Sequence, residues 1–327
     1  MTMRAASYTQ FGKPSDVLSI TDRPIPEPAP HEVRIKTILA TIHNHDLITI
    51  RGQYGDKPNL PAIAGSEALG VVDAIGSEVE GFEVGQRVAA ASVHATWAEY
   101  FTAPAKMVFP IADAIDDEIA AQLIAMPLSA LMLLEFLELK AGKWALLNAA
   151  NGAVGKSFAM LAAARGVNSI SLVRRAEAAN SLKELGVAHV VDVSESDWQD
   201  QVRKIVGAAQ IDAAVDSLGG EASNDLLTLL GSGGTLVSFG VMAGQPMVLN
   251  PSNLIFKEVV VKGFWGSKTS REMSLDNKLR LIDELKQRVL EGTLSLPVHA
   301  IYKLDDITTA VSGEVQKGKK GKVLLRV

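Results

Sequence analysis

Cysteine is absent from all 327 residues. No disulfide, thiol nucleophile or thiolate metal site can therefore exist in this chain. Aromatic residues are scarce at 5%, with only four tyrosines among them, so a tyrosine in a polar, turn-like setting stands out. Long apolar runs are missing too. The most apolar stretch, Leu123 to Leu134, contains Pro127 and Ser129 and is too short to span a bilayer. There is no basic block, and the net charge is −5. Nucleic acid and an anionic membrane surface are thus not expected as partners. The chain opens with Met1-Thr2-Met3-Arg4-Ala5-Ala6 and runs straight into strand-like sequence, without a signal or transit pattern. A soluble cytoplasmic protein is expected.

The most informative stretch is Asn148-Ala149-Ala150-Asn151-Gly152-Ala153-Val154-Gly155. It follows the apolar run Trp144-Ala145-Leu146-Leu147 and opens a helix-favouring one, Phe158 to Arg165. Strand, small-residue turn and helix in this order let a backbone approach a pyrophosphate and aim free N–H groups at it. Ala150 stands where a glycine is usual. A second strand, Ser169 to Val173, leads into Arg174-Arg175, where such a unit presents its ribose selector. An acid there would bind the free 2′-hydroxyl of NAD. Two arginines suit a 2′-phosphate, so the expected cofactor is NADPH. The other reading is an ordinary βαβ unit with a solvated arginine pair.

At this length two domains are expected. Up to about residue 120 the signals are strand and turn: Val33–Ile38 alternates, Ala68–Gly76 reads as a strand ending in a turn, and Val84–Ala89 as a turn entering a strand. A β-rich, partly barrel-like domain is expected over 1–120 and 295–327. Over 121–294 strands at Ala145–Asn148, Ile170–Val173, His189–Asp192, Ala213–Asp216 and Gly234–Gly240 alternate with helical stretches. That predicts an α/β domain with a parallel sheet covered on both faces. Met273 to Glu291 is a further amphipathic helix, and Gly321 to Val327 returns to strand. A chain that leaves the first domain, builds the sheet and returns would close a cleft. Val259-Val260-Val261-Lys262-Gly263-Phe264 reads as an apolar edge strand, which needs a partner; a homodimer is expected.

Taken together, Gly65-Ser66-Glu67 before the Gly70 strand, Gly81-Phe82 with Gly85-Gln86-Arg87-Val88, Leu185 to Asp192, and Asp216-Ser217-Leu218-Gly219-Gly220 resemble the medium-chain dehydrogenase/reductases over the whole length. Arg51-Gly52-Gln53-Tyr54-Gly55, the Asn151 turn, Gly240-Val241-Met242-Ala243 with Gln245-Pro246, and Leu254-Ile255-Phe256-Lys257 with Gly263-Phe264-Trp265 resemble the zinc-independent, mitochondrial-type 2-enoyl-thioester reductases. The next resemblance is to quinone oxidoreductases. It implies a Rossmann-type doubly wound parallel sheet and a GroES-like, partly open β-barrel. Zinc-dependent relatives place a cysteine near His43 and a histidine at Ser66. With neither present, no metal is expected. An all-nitrogen-and-oxygen site of His43, His45, Asp46 and Glu67 is the alternative. Otherwise the two histidines are polar cleft or loop residues, and the two acids hold the fold by hydrogen bonds.

Without zinc, a carbonyl reaction lacks its usual Lewis acid, whereas reduction of an activated C=C needs orientation, electrostatic stabilisation and a proton donor. Tyr54, a phenol neutral at pH 7, is the candidate donor; the alternative is an ordinary turn tyrosine. The resemblance implies the same role for it and places Trp265 beside the nicotinamide and acyl pocket, an interface or core aromatic being nearly equivalent. It also implies cofactor contacts from His43, Asn151, Gly152, Ala153, Val154, Gly155, Arg174, Arg175, Gly240, Val241, Met242, Phe264 and Lys322. Lys322 could instead belong to a solvated run with Lys319 and Lys320. Two positions depart from the reductases, which carry Asn at Met126 and at His43, both near the nicotinamide end. The expected function is NADPH-dependent reduction of a trans-2-enoyl thioester. The alternatives are a quinone or enone reductase, and an idle NADPH-binding protein like the lens or RNA-associated relatives of quinone reductases.

Overall fold

The computed structural model describes residues 1–316 and 320–327; Lys319 lies outside them. The chain divides into two compact units, one formed by Met1–Ala125 with Leu296–Val327 and the other by Met126–Ser295.

The first unit is built on a mixed sheet, antiparallel except where Val298–Lys303 runs parallel to Lys322–Arg326. Its strands run in the order Val298–Lys303, Lys322–Arg326, Glu32–Ile42, Glu67–Ile75, Arg87–Ala91 and Val108–Pro110, and Tyr100–Pro104 also pairs with Glu32–Ile42. A smaller sheet places Thr2–Tyr8 between Ser19–Pro24 and Ala62–Ile63. The alternation of Val33–Ile38 marks only the first half of its strand. The second half, Leu39 to Ile42, pairs with the C-terminal Lys322–Arg326 strand and is buried almost throughout. Both faces there are covered, which removes the period-two signal. Trp97, Phe101, Ile35, Ile42 and Ile50 fill the interior. The Trp97 indole N–H finds an acceptor in the Thr41 carbonyl at 3.1 Å, so the largest core side chain is buried without an orphaned donor.

The second unit holds a six-stranded sheet in the order His189–Asp192, Asn168–Val173, Trp144–Leu147, Ile211–Asp216, Leu230–Ser238 and Val260–Gly263. Every neighbouring pair is parallel. Helices Ala153–Ala164, Ala176–Glu184, Trp198–Val206 and Glu221–Leu229 make crossovers between these strands. The first strand of the unit lies at the centre, with the second and third to one side and the rest to the other; this is the doubly wound order. The expected strands are all present, with shifted ends. Gly234–Gly240 is realised as Leu230–Ser238. It stops at Ser238 because the N–H groups of Phe239 and Gly240 turn to the Asp216 carbonyl, at 2.8 and 3.2 Å. The helix expected over Met273–Glu291 spans Leu275–Leu290, with Ser274 accepting from the Asn277 N–H as its cap. Arg165 ties that helix to the sheet-covering layer by bonding Glu284 at 2.6 Å and Glu135 at 3.2 Å. Val260–Gly263 is one of the two edge strands, with Val260 and Val261 exposed. Among the described residues no helix is long and apolar enough to cross a membrane.

Candidate functional site

In the second unit the C-terminal ends of parallel strands collect the residues singled out from the sequence. The Trp144–Leu147 strand enters a turn in which Ala149 takes a left-handed φ of 48°. The Ala150 N–H bonds back to the Leu172 carbonyl of the neighbouring strand at 3.2 Å. Gly152 is the N-cap residue of helix Ala153–Ala164. The helix sits directly on the turn: a Cβ on Gly155 would lie 2.5 Å from the Ala150 carbonyl oxygen, so only glycine fits. Its first N–H groups have no intrahelical acceptor and carry the positive end of the helix dipole. Asn151 Oδ1 is buried with no hydrogen-bond partner. Such an orphan inside a native turn marks a place where a ligand atom would complete the bonding.

Arg174 and Arg175 follow the adjacent Asn168–Val173 strand and are exposed. Among the described residues neither forms an ion pair with a carboxylate. On the other side, Asn148 Nδ2 donates to Asp216 Oδ1 at 2.6 Å, and Asn148 Oδ1 accepts from the Ser217 N–H at 2.7 Å. Asp216 is fully buried, and its carboxylate also takes the Leu218 and Gly219 N–H groups and the Ser223 hydroxyl. The 239–243 segment lies on this knot: Met242 and Ala243 N–H reach the Ser217 and Leu218 carbonyls, both at 3.0 Å. A Cβ on Gly240 would stand 2.8 Å from the Ser217 oxygen. Val241 and Met242 are left exposed. Phe264 is buried, its ring packing on Phe136 and Phe239 at centroid distances of 5.1 and 6.0 Å. Its ring is thus a packing group. Trp265, next in the chain, is 47% exposed.

In the first unit the polar cluster is tighter than the sequence suggests. His43 is not a cleft or loop side chain: it is fully buried at the start of helix Asn44–Ile50. Its Nε2 lies 2.7 Å from Glu67 Oε2 and its Nδ1 2.7 Å from Lys322 Nζ. An ammonium can only donate, so Nδ1 accepts and Nε2–H donates to the carboxylate, and His43 is a neutral bridge between two charges. Lys322 is accordingly buried and not part of a solvated run. Glu67 Oε1 accepts the N–H groups of Ile124 and Ala125 at 2.8 and 2.7 Å. Burial pushes the Glu67 carboxyl up to about 7, against those two donors and Lys322. Asp46 takes the His43 N–H at 2.8 Å and the Ser66 hydroxyl at 2.6 Å. The two acids do hold the fold by hydrogen bonds. Among the described residues no three His, Asp or Glu side chains are grouped to hold a metal ion. His45 stacks on His43 at 4.9 Å with the rings 11° apart. The half-buried Tyr54 ring lies 5.9 Å from that of His45.

Lys156 was not legible as special. It is 5% exposed inside the Ala153–Ala164 helix, and burial pushes its ammonium down to about 8. A lone lysine in an otherwise small and apolar helix was the only available sign.

Residues 29–113 match the model of the alcohol dehydrogenase GroES-like domain, and residues 153–284 that of the zinc-binding dehydrogenases. Across 99% of its length the chain is 31% identical to the human mitochondrial enoyl-[acyl-carrier-protein] reductase, covering 88% of that protein. It belongs to the medium-chain dehydrogenase/reductase superfamily. The α/β fold is that of the superfamily, a Rossmann-type doubly wound sheet and a GroES-like β-barrel domain. Among solved structures, a Bacillus thuringiensis protein provisionally assigned as an NADPH:quinone reductase superposes with a TM-score of 0.91 at 31% identity, covering 100% of this chain and 99% of that one. Escherichia coli quinone oxidoreductase complexed with NADPH gives 0.89 at 25% identity, covering 99% and 100%.

The raised Glu67 carboxyl has a signed consequence. Between its unfolded value of 4.5 and about 7 the folded state holds the extra proton, so stability falls as pH rises through that window. Glu67→Gln keeps an acceptor for Ile124 and Ala125 and cannot ionise. Relative to wild type it should gain about 1–3 kcal/mol on going from pH 5 to pH 8. Urea unfolding at both values measures it, and an unchanged difference would show that burial does not control this carboxyl.

Proposed function

We propose that this chain is an NADPH-dependent reductase of activated C=C bonds, with trans-2-enoyl thioesters as its substrate class. The observation that carries the reading is the rim at the C-terminal strand ends of the second unit. There an orphaned Asn151 oxygen, a bare helix N-terminus and two arginines without carboxylate partners among the described residues fit the phosphates and ribose of NADPH. In this reading the backbone N–H groups of the Asn151 to Gly155 turn hold the pyrophosphate, Asn151 Oδ1 accepts from a hydroxyl of the cofactor, Arg174 and Arg175 hold the 2′-phosphate, and Gly240 to Met242 the ribose, with Trp265 at the nicotinamide. Residues 126–295 are then the cofactor unit, and 1–125 with 296–327 the catalytic unit. The bound cofactor supplies the hydride. Tyr54 supplies the proton to the α-carbon, and Lys322 and His43 fix the polar floor on which His45 stacks. No zinc takes part, since Ser66 and the lack of cysteine remove the usual ligands. The curated relatives support the thioester, being named enoyl-[acyl-carrier-protein] reductases.

Quinone or enone reduction is the second reading, favoured by the solved relatives named as quinone reductases. An idle NADPH-binding protein would turn over neither substrate.

Arg174→Ala with Arg175→Ala should weaken NADPH binding about ten- to a hundredfold and leave NADH binding unchanged, because a charge-assisted contact contributes roughly 1.5–3 kcal/mol. Fluorescence titration of both nucleotides is the check; equal affinities in the wild type would reject the 2′-phosphate assignment.

Tyr54→Phe keeps the ring and removes the acid. It should lower kcat with crotonyl-CoA by roughly 10²–10⁴-fold while NADPH binding persists. A variant as fast as wild type would remove Tyr54 from the mechanism, and a wild type that reduces only quinones would replace the thioester.

The exposed Val260–Gly263 edge is proposed to pair with a second copy, since an apolar strand edge left open invites association. Sedimentation at micromolar concentration should give a dimer, and Val261→Lys a monomer. A wild-type monomer would overturn this.

A further inference from the structure

His45 is held so that one ring nitrogen is committed and the other is open. Ser66 Oγ gives its single proton to Asp46 Oδ1 at 2.6 Å, because a carboxylate can only accept. The same oxygen lies 2.8 Å from His45 Nε2, and so must accept from Nε2–H. Asp46 is itself fixed, its second oxygen taking the His43 N–H at 2.8 Å. The chain Nε2–H to Ser66 to Asp46 therefore sets the His45 tautomer. Nδ1 has no partner among the described residues, and the side chain is 28% exposed. The ring cannot swing away cheaply, since it lies flat on the buried His43 ring at 4.9 Å. The Tyr54 ring is also near it, tilted, with centroids 5.9 Å apart.

An imidazole oriented by a hydroxyl and a carboxylate, with its far nitrogen open, is built as an acid–base group. A residue that merely packed there would need neither the hydroxyl relay nor the open nitrogen. The groups around it are of both signs. Asp46 shares its helix, and Glu67 acts on it from the adjacent strand. Lys322 bonds the neighbouring His43, and Tyr8 lies within electrostatic reach of Asp46.

We propose that His45 is a second proton donor of the active site, acting at Nδ1 alongside Tyr54. The proposal rests on the reductase reading given under Proposed function. After hydride transfer the substrate carries a negative charge, on a thioester enolate or on a hydroquinone oxygen. The Nδ1–H bond breaks and its proton forms the new Cα–H or O–H bond. The electron pair stays on Nδ1, leaving a neutral imidazole that keeps Nε2–H on Ser66. A solvent proton then restores the imidazolium. Ser66 and Asp46 are positioning residues in this scheme.

The test compares wild type, Tyr54→Phe, His45→Gln and the double variant from pH 5.5 to 9, with crotonyl-CoA and with a benzoquinone, following NADPH absorbance. Thermal melts confirm that each variant is folded. In Tyr54→Phe the residual kcat should fall as pH rises across this range, because an acid must hold its proton to donate it. The double variant should lose that limb and a further roughly 10²-fold in rate. The limb should persist in Glu67→Gln, which separates His45 from the buried Glu67 carboxyl, raised to about 7. Ring ¹⁵N shifts should show the neutral Nε2–H tautomer in wild type and a mixture in Ser66→Ala. A double variant that keeps the rate and pH limb of Tyr54→Phe, or a wild type with the Nδ1–H tautomer, overturns the assignment of His45. A wild type inert toward both substrates instead removes the reductase reading, and the role with it.

Discussion

The buried Asp216 carboxylate is the constraint on which the second unit's rim depends. It ends one central strand and accepts hydrogen bonds from Asn148 of the other, from two N–H groups of its own turn and from Ser223 of the next helix. A buried carboxylate costs several kcal/mol unless its lone pairs are filled, so the turns cannot drift without exposing that cost. The position of the Asn148–Gly152 turn follows from it, and so does that of the 239–243 segment, which is laid on the carbonyls of 216 to 218. In a parallel sheet the strand ends fall on one edge, and this single acid locks two of them in register.

The first unit solves a similar problem with charge. Glu67, His43 and Lys322 come from three different strands or strand ends and are sealed from water. A neutral imidazole between an ammonium and a carboxylate lets both charges be paired without touching. The flat, rigid face this makes is what His45 stacks on, and the Ser66–Asp46 pair completes its orientation. His43, one of the two positions expected to depart from the reductases, is therefore a structural keystone in this chain, both its ring nitrogens being bonded.

How much was legible depended on range. The turn at 148–155 and the arginines after Val173 are local patterns, and the strand–helix alternation is written in periodicity over about ten residues at a time. Strand ends were less legible. Leu39 to Ile42 lost its alternation because a segment from the far end of the chain covers it, and Ser238 ends its strand because of a carbonyl at Asp216. Phe264 shows the limit for side chains: its place beside Trp265 is plain in sequence, but its burial against Phe136 and Phe239 is not.

By itself the sequence determined the absence of thiol chemistry, the order of strands and helices, the phosphate-type turn and the arginine pair that follows it. These need only composition and neighbours along the chain. Tertiary structure alone decided that Lys322 meets His43 across a separation of 279 residues, that Asn148 meets Asp216 across 68, and that Ser66 takes one His45 ring nitrogen while the other has no partner among the described residues. Those contacts depend on strand register and on which face a ring turns toward. No pattern of neighbouring residues encodes either, because the energy that fixes them comes from burying distant groups together.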